Sequence, residues 1–248
     1  MCGIFFYYGT SLEKNYLEEL FNKIKHRGPD NSQILTLKNL FFGFHRLSIN
    51  GLDDISNQPL VNDNNFWICN GEIFNYKDLI KEFKLKDDYK TNSDCEIILH
   101  LYKKIGIKET LKKLDGEFSF VLYDAGINKL FISRDQLGIR SLFIGKKNKE
   151  FIISSEAKGI DSNFDTQQFQ PRTYMMVDLN NNEHITDSYF DFDNFDNKLS
   201  EEKHIFNIKC LMENAVSKRL MSDRNICCLL SGGLDSTIVT GLVAKHFE

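Results

Sequence analysis

The sequence predicts an α+β fold of β-sheets with flanking helices, followed by the opening of an α/β nucleotide-binding unit. Three observations carry this. Short apolar runs of strand type, among them GIFFYYG, EFSFVLYD and FIISSE, crowd the first 190 residues. Helical periodicity is confined to a few segments between them. The last stretch reads helix, apolar strand, Gly-rich loop, helix, a different alternation.

In chain order, GIFFYYG is a strand closed by Gly9. YLEELFNKIKH places Leu17, Leu20, Phe21 and Ile24 at i, i+3, i+4 and i+7, an amphipathic helix. The Gly28-Pro29 pair stops it. Strands are expected around 33–37, 40–49 and 66–73. Asn75 is expected to cap a short helix, YKDLIKEF. A second helix follows Asp94, with Ile97, Ile98, Leu101 and Ile105 on one side. Then come EFSFVLYD, KLFISRD, SLFIG, FIISSE and TYMMVDL, all of strand type. The segment 187–200 carries Asp187, Asp191, Asp193 and Asp196 without helical period, and reads as a linker. Its Tyr189, Phe190, Phe192 and Phe195 are expected to pack on a surface. Beyond it, Ile205, Ile208, Met212, Ala215 and Val216 describe a helix, and ICCLL a strand buried on both faces. This gives a first domain over 2–186, the linker, and a second unit over 201–248.

Composition excludes several classes. Of 248 residues, 42% are hydrophobic and 27% charged, so a core is affordable and disorder is not expected. A net charge of −4 with scattered basic residues argues against nucleic acid or an anionic membrane as partner. No apolar stretch is long enough for a membrane helix, and no signal peptide opens the chain. The six cysteines contain no CxxC pair, which suits a reducing cytoplasmic setting.

Three features carry chemistry. SGGLDST, between strand and helix, offers backbone N–H groups to an anion at a helix N-terminus, with Ser231 and Ser236 as hydroxyl donors. Asp235 would repel phosphate there unless a divalent cation intervened, which implies Mg²⁺. Cys2, exposed as the terminus once Met1 is removed, would be a thiol carrying its own base, the α-amino group. Taken alone it also reads as a core cysteine. Finally, Arg46, Asn70-Gly71-Glu72 and Asp94 lie in polar clusters between apolar strands. Separately they read as a salt-bridged Arg, a turn and an N-cap. Together they match a zwitterionic amino acid: Arg46 for its carboxylate, Asp94 for its ammonium, the Asn70 amide and Gly71 N–H as an oxyanion hole.

MCGIF, HRGPD, HRLSI, NGEIFN, SDCE, LDGEFSFVLYD, RDQLGIRSLFIG and ISSEAKGI, in this order, resemble the glutaminase domain of class II, N-terminal-nucleophile glutamine amidotransferases. With SKRLMSD and LLSGGLDST following, the chain resembles the glutamine-hydrolysing asparagine synthetase family. The resemblance implies a four-layer αββα sandwich and then the start of a pyrophosphatase-loop domain. It implies Cys2 as nucleophile with Asn70 and Gly71 as oxyanion donors. Arg46 and the backbone of Leu47, Ser48, Ile49 and Asn50 would hold the glutamine carboxylate, and Asp94 and Glu72 its ammonium. Leu230, Ser231, Gly232, Gly233, Leu234, Asp235 and Ser236 would hold ATP, with Mg²⁺ on Asp235. Glutamine, aspartate and ATP are the implied substrates, and β-aspartyl-AMP the species that ammonia aminates.

Three positions depart from the family: Asn50 where an apolar residue is usual, Ser141 where proline is common, and Arg172 after Pro171 where glycine is usual. None is expected to touch the chemistry. The family's synthetase domain extends far beyond residue 248, so this chain is expected to form no asparagine alone. Its C-terminal helices are expected to make it poorly soluble or a homodimer. The alternatives are a standalone glutaminase or ammonia donor, and a non-catalytic partner of a full-length synthetase.

Overall fold

The computed structural model describes residues 1–192 and 199–247. The chain separates into two compact units, Met1–Asp191 and Phe192–Glu248. Asp193, Phe195 and Asp196 of the expected linker lie outside the described residues.

The first unit contains two six-stranded sheets in which every pairing is antiparallel. In one sheet β1 (Gly3–Tyr8) and β3 (Leu40–Arg46) are paired inner strands. Around them lie β2 (Asn31–Leu37), β9 (Glu150–Ser154), β8 (Phe143–Lys147) and β10 (Asp165–Gln168). The other runs β12 (Glu183–Ser188), β11 (Thr173–Asp178), β7 (Lys129–Arg134), β6 (Gly116–Asp124), β5 (Asn65–Ile73), β4 (Leu60–Asn62).

Side-chain alternation assigns the layers. Ile4, Phe6, Phe42 and Phe44 of the first sheet meet Ile68, Val121, Ile132 and Val177 of the second in one apolar layer. Phe5, Tyr7 and Phe41 point the other way, onto Leu17, Leu20 and Phe21 of α1 (Lys14–Asn22). On the far face of the second sheet, Trp67, Phe118 and Phe120 pack with residues of α2 (Tyr76–Glu82) and α3 (Ile97–Lys113). The result is the αββα order of the resemblance. Each large side chain fully withdrawn from water contributes about 1.5–3 kcal/mol, and all six residues of β1 are buried.

Differences from the sequence reading have local causes. β10 and β12 were not expected, because both are polar, largely exposed edge strands without apolar alternation. β12 therefore claims Asp187 from the expected linker, and Tyr189 is buried with its hydroxyl donating to the Arg134 carbonyl at 2.8 Å. Asn75 stands at the start of α2 but makes no side-chain cap. Its amide instead reaches the far end of α3, accepting from Asp115 N–H and donating to Lys113 O.

The second unit contains α4 (Glu201–Lys218) and α5 (Leu234–Phe247). Ser200 caps α4, accepting from Lys203 N–H at 3.4 Å. The expected strand at 226–230 is not formed: Leu229 is 93% exposed. A parallel strand needs neighbours on both edges and cover on both faces, and the described residues supply neither. No helix among the described residues is long and apolar enough to cross a membrane.

Gly28 shows why the HRGPD segment has its glycine. A Cβ there would lie 2.2 Å from the His45 carbonyl carbon and 2.5 Å from Arg46 N, at the end of β3. Backbone atoms cannot give way as side chains do. Gly28→Ala is therefore expected to destabilise the first unit by about 3 kcal/mol or more, read as a fall in the urea unfolding midpoint.

Candidate active site

β1 and β3 pair from Gly3↔His45 onward, so both strands reach the same edge of the sandwich. There Cys2 precedes β1 and Leu47 follows β3. The Leu47 N–H donates to Cys2 Sγ at 3.4 Å, and the thiol donates back to Leu47 O at 3.5 Å. The backbone of Cys2 is also held: Arg27 Nε donates to its carbonyl at 2.9 Å. Two residues on, Ile4 N–H donates to Ser155 Oγ and Ile4 O accepts from Ser155 N–H. Burial pushes the Cys2 thiol pKa up, and the Leu47 N–H opposes it. The Met1 amine is pushed down, first by burial and further by Arg140 and Arg27, against the raising effect of Cys2.

Cys2 opens onto a pocket of about 480 Å³, mouth included, that also has Arg46, Leu47, Ile49, Asn50, Asn70, Gly71, Glu72 and Asp94 in its wall. Of the residues expected from sequence for an amino-acid site, only Ser48 does not line it. Its N–H donates instead to Asp30 Oδ2 at 2.8 Å. Asn50, whose backbone was expected to help hold a carboxylate, is in the pocket wall, and among the described residues its buried Nδ2 has no partner.

Arg46 is buried at the end of β3. Its Nη1 donates to Asp53 O at 2.8 Å and Asn57 Oδ1 at 2.6 Å, and its Nη2 to Asn50 O at 3.4 Å and to Gly51 O. Four of its five N–H donors are thus spent on the 50–57 loop. A bidentate grip on a carboxylate requires exchanging some of these bonds, and Nε–H alone is uncommitted.

Asn70 and Gly71 come from β5. Asn70 is 1% exposed, and its Nδ2 has no hydrogen-bond partner. Gly71 has no room for a side chain, since a Cβ would sit 2.4 Å from the Glu117 carbonyl oxygen of β6. Asp94 is not a helix cap. Ser93 caps the turn, and the Asp94 carboxylate is directed inward to accept from Ile73 N–H at 2.6 Å. Burial first, and then the neighbouring Glu72, pushes its pKa up to about 7, although the Ile73 N–H opposes them. Arg140 Nη2 stands 3.4 Å from Glu72 and 3.6 Å from Glu117, while its Nε is buried and unpartnered.

Sequence reasoning missed Arg140, Gln58, Cys69 and Cys95 as wall residues. Arg140 and Cys95 had a signal, their places in RDQLGIRSLFIG and SDCE. Cys95 donates to Gly71 O at 3.7 Å, and its pKa is raised by the Cys69 thiol and by burial.

The other expected set lies in the second unit as one continuous loop from Leu230 to Ser236. Gly232 has φ 81°, Ser231 Oγ and Ser236 Oγ are 3.0 Å apart, and α5 begins at Leu234. The loop is largely exposed, Leu230 at 60%.

A family model described as "Glutamine amidotransferase domain" matches residues 1–195, and one described as "Asparagine synthase" matches residues 207–248. "Asparagine synthetase [glutamine-hydrolyzing]" of Mus musculus is 37% identical over 285 residues, covering 100% of this chain and 49% of the mouse protein. The Homo sapiens protein of the same name is 36% identical over 283 residues, with the same coverage of 100% and 49%. The chain thus spans about half the length of the curated relatives it matches. Among solved structures, glutamine phosphoribosylpyrophosphate amidotransferase from B. subtilis, complexed with ADP and GMP, aligns with TM-score 0.65. It is 19% identical and covers 78% of this chain and 50% of its own, a likeness of fold.

The thiol's environment gives a direct test. With Met1 attached, Cys2 is expected to react with iodoacetamide with a pH midpoint above the ordinary thiol value of about 8.5. Mass mapping of alkylated peptides over a pH series reads it, and a midpoint below 8.5 would contradict the burial described.

Proposed function

The chain belongs to the glutamine amidotransferase domain family, and from that membership we propose that its first unit hydrolyses the side-chain amide of glutamine at Cys2. One observation carries the reading. A single pocket gathers the Cys2 thiol, the unpartnered Asn70 Nδ2–H and the buried Asp94 carboxylate from three separate segments.

Removal of Met1 frees the Cys2 α-amino group. That amine takes the thiol proton, and the thiolate attacks the amide carbon. The carbonyl oxygen gains negative charge and is met by Asn70 Nδ2–H and Gly71 N–H. The amine returns the proton to the departing nitrogen, ammonia leaves and a γ-glutamyl thioester remains. Water then cleaves the thioester, giving glutamate and the free thiol. Burial and the two guanidinium groups that lower the Met1 amine would act on the new terminus, keeping it a proton acceptor near neutrality. Asp94, with Glu72 nearby, takes the substrate ammonium, and Arg46 the α-carboxylate.

The match of residues 207–248 and the 36–37% identity support glutamine-hydrolysing asparagine synthesis as the reaction this glutaminase serves. There ammonia would aminate β-aspartyl-AMP, made from aspartate and ATP, to give asparagine and AMP, with pyrophosphate from the activation step. Exposed serine hydroxyls and helix-start N–H groups in the Leu230–Ser236 loop suit an anionic ATP phosphate. Mg²⁺ is usually held by one or two carboxylates together with substrate phosphates, and Asp235, the sole carboxylate of the loop, would supply the protein ligand. No step is derived through the ion.

Chain lacking Met1 is expected to release glutamate from glutamine. Cys2→Ala should lower this at least about 10³-fold. Asn70→Ala should lower kcat about 10²–10³-fold, with a smaller change in KM. Glutamate release unaffected by Cys2→Ala ends the proposal.

Asp94 sets a pH dependence. Its carboxylate must be ionised to hold an ammonium, and in the free site it is half-protonated at about pH 7. kcat/KM for glutamine is therefore expected to fall as pH drops through about 7, approaching tenfold per unit. kcat at saturation should be less affected, because the bound ammonium favours the ionised form. Asp94→Asn should remove that inflection and raise KM.

A further inference from the structure

β5 carries the proposed oxyanion donors, yet its edge facing away from β6 loses its strand partner before reaching them. β4 pairs with β5 only at Asn62↔Asn65, Val61↔Phe66 and Leu60↔Trp67. Continuing that antiparallel register two further steps sets residue 58 opposite residue 69. Pairs two steps apart are of the same hydrogen-bonding class, so a longer β4 would offer residue 58's peptide to Cys69.

β4 ends at Leu60, and a side chain takes the place of that peptide. Gln58 is 5% exposed, its Oε1 accepts from Cys69 N–H at 2.6 Å, and its Nε2 donates to Cys69 O at 3.1 Å. Both backbone groups of Cys69 on this edge are thereby bound by one amide, which has the donor and acceptor geometry of a peptide. Asn70 follows immediately. Gly71 O is held in turn by the Cys95 thiol, and the opposite edge of β5 is paired with β6 from Asn65 to Ile73.

We propose that Gln58 is a positioning residue for glutamine hydrolysis: its side-chain amide substitutes for a missing strand and fixes the peptide from which Asn70 and Gly71 reach the oxyanion. This rests on the glutaminase reading above. Displacement of a catalytic group by about 1 Å costs on the order of 10²-fold in rate, and among the described residues the Cys69–Gly71 edge would keep only the Cys95 thiol on that side without the amide.

The test uses the full chain lacking Met1 and measures glutamate release. Gln58→Leu removes both bonds. It is expected to lower kcat about 10–100-fold, with KM for glutamine within about threefold and with alkylation of Cys2 by iodoacetamide within about twofold, since alkylation needs no oxyanion donor. Gln58→Glu adds a readout that simple loss of packing does not move. Its carboxylate can accept from Cys69 N–H but cannot donate to Cys69 O until protonated. The kcat ratio of Gln58→Glu to wild type is therefore expected to rise at least about fivefold from pH 8 to pH 6. An active wild type with a folded Gln58→Leu variant of unchanged kcat, or a Gln58→Glu ratio flat with pH, overturns the inference alone. Should Gln58→Leu fail to fold, the Gln58→Glu ratio decides. A wild type that releases no glutamate overturns the glutaminase reading and this inference with it.

Discussion

The site depends on the anchoring of one strand. β1 is buried on both faces, pairs with β3 on one edge and β9 on the other, and begins at Gly3. A strand so enclosed cannot slide, because a shift of one residue would exchange Ile4 and Phe6 with Phe5 and Tyr7 between two different apolar layers. Residue 2 is therefore delivered to one place, the edge where β3 ends. Short-range bonds then set its orientation: Leu47 on the sulfur, Arg27 on the carbonyl, Ser155 two residues on. The close approach at Gly28 brings the HRGPD segment against the same corner. A reaction requiring a free terminus beside a thiol needs a terminus this well held.

Electrostatics at that corner favour neutral forms. The Cys2 thiol is pushed up, the Met1 amine down and the Asp94 carboxyl up, each chiefly by burial. The guanidinium of Arg46 is turned largely onto its own loop. Charge in the pocket is consequently inexpensive to create only in company. In the proposed site a zwitterion would bring a carboxylate toward Arg46 and an ammonium to Asp94, and that ammonium would favour the ionised carboxylate. In the proposed reaction, binding and ionisation are thus coupled, and the pocket rejects ligands bearing only one of the two charges.

Much of this was legible in the sequence. β1, β3 and β5 announced themselves as apolar runs; Cys2 stood ahead of one as a possible terminal nucleophile, and Arg46, Asn70, Gly71 and Asp94 lay in polar clusters between such runs. Interruption of an apolar strand by a side chain that must be solvated or satisfied is a local signal. What escaped had no local signal. β10 and β12 are polar edges that take their shape from neighbours in the sheet. Gln58 lies in a segment of loop composition, and its role exists only through a residue eleven positions away. Ile226–Leu230 failed in the opposite sense. Its composition is that of an interior strand, but strand formation requires partners, and none is present among the described residues.

The unsatisfied groups of the pocket share one polarity. Asn50 Nδ2, Asn70 Nδ2 and Arg140 Nε are all N–H donors, all buried and all without an acceptor. Leaving one such group unpaired under a bound ligand would cost about 1–3 kcal/mol, so a ligand in this wall is expected to offer acceptors. The same wall carries the Glu72 and Asp94 carboxylates, so it suits a ligand that offers acceptors to these donors and a cation to these carboxylates. Glutamine brings three oxygens, two on its carboxylate and one on its amide, and the amide oxygen becomes a stronger acceptor as its carbon turns tetrahedral. The donor that gains most from this change is the one nearest the developing charge. On the proposed chemistry that donor is Asn70, so its bond to the amide oxygen strengthens beyond what substrate binding alone gives.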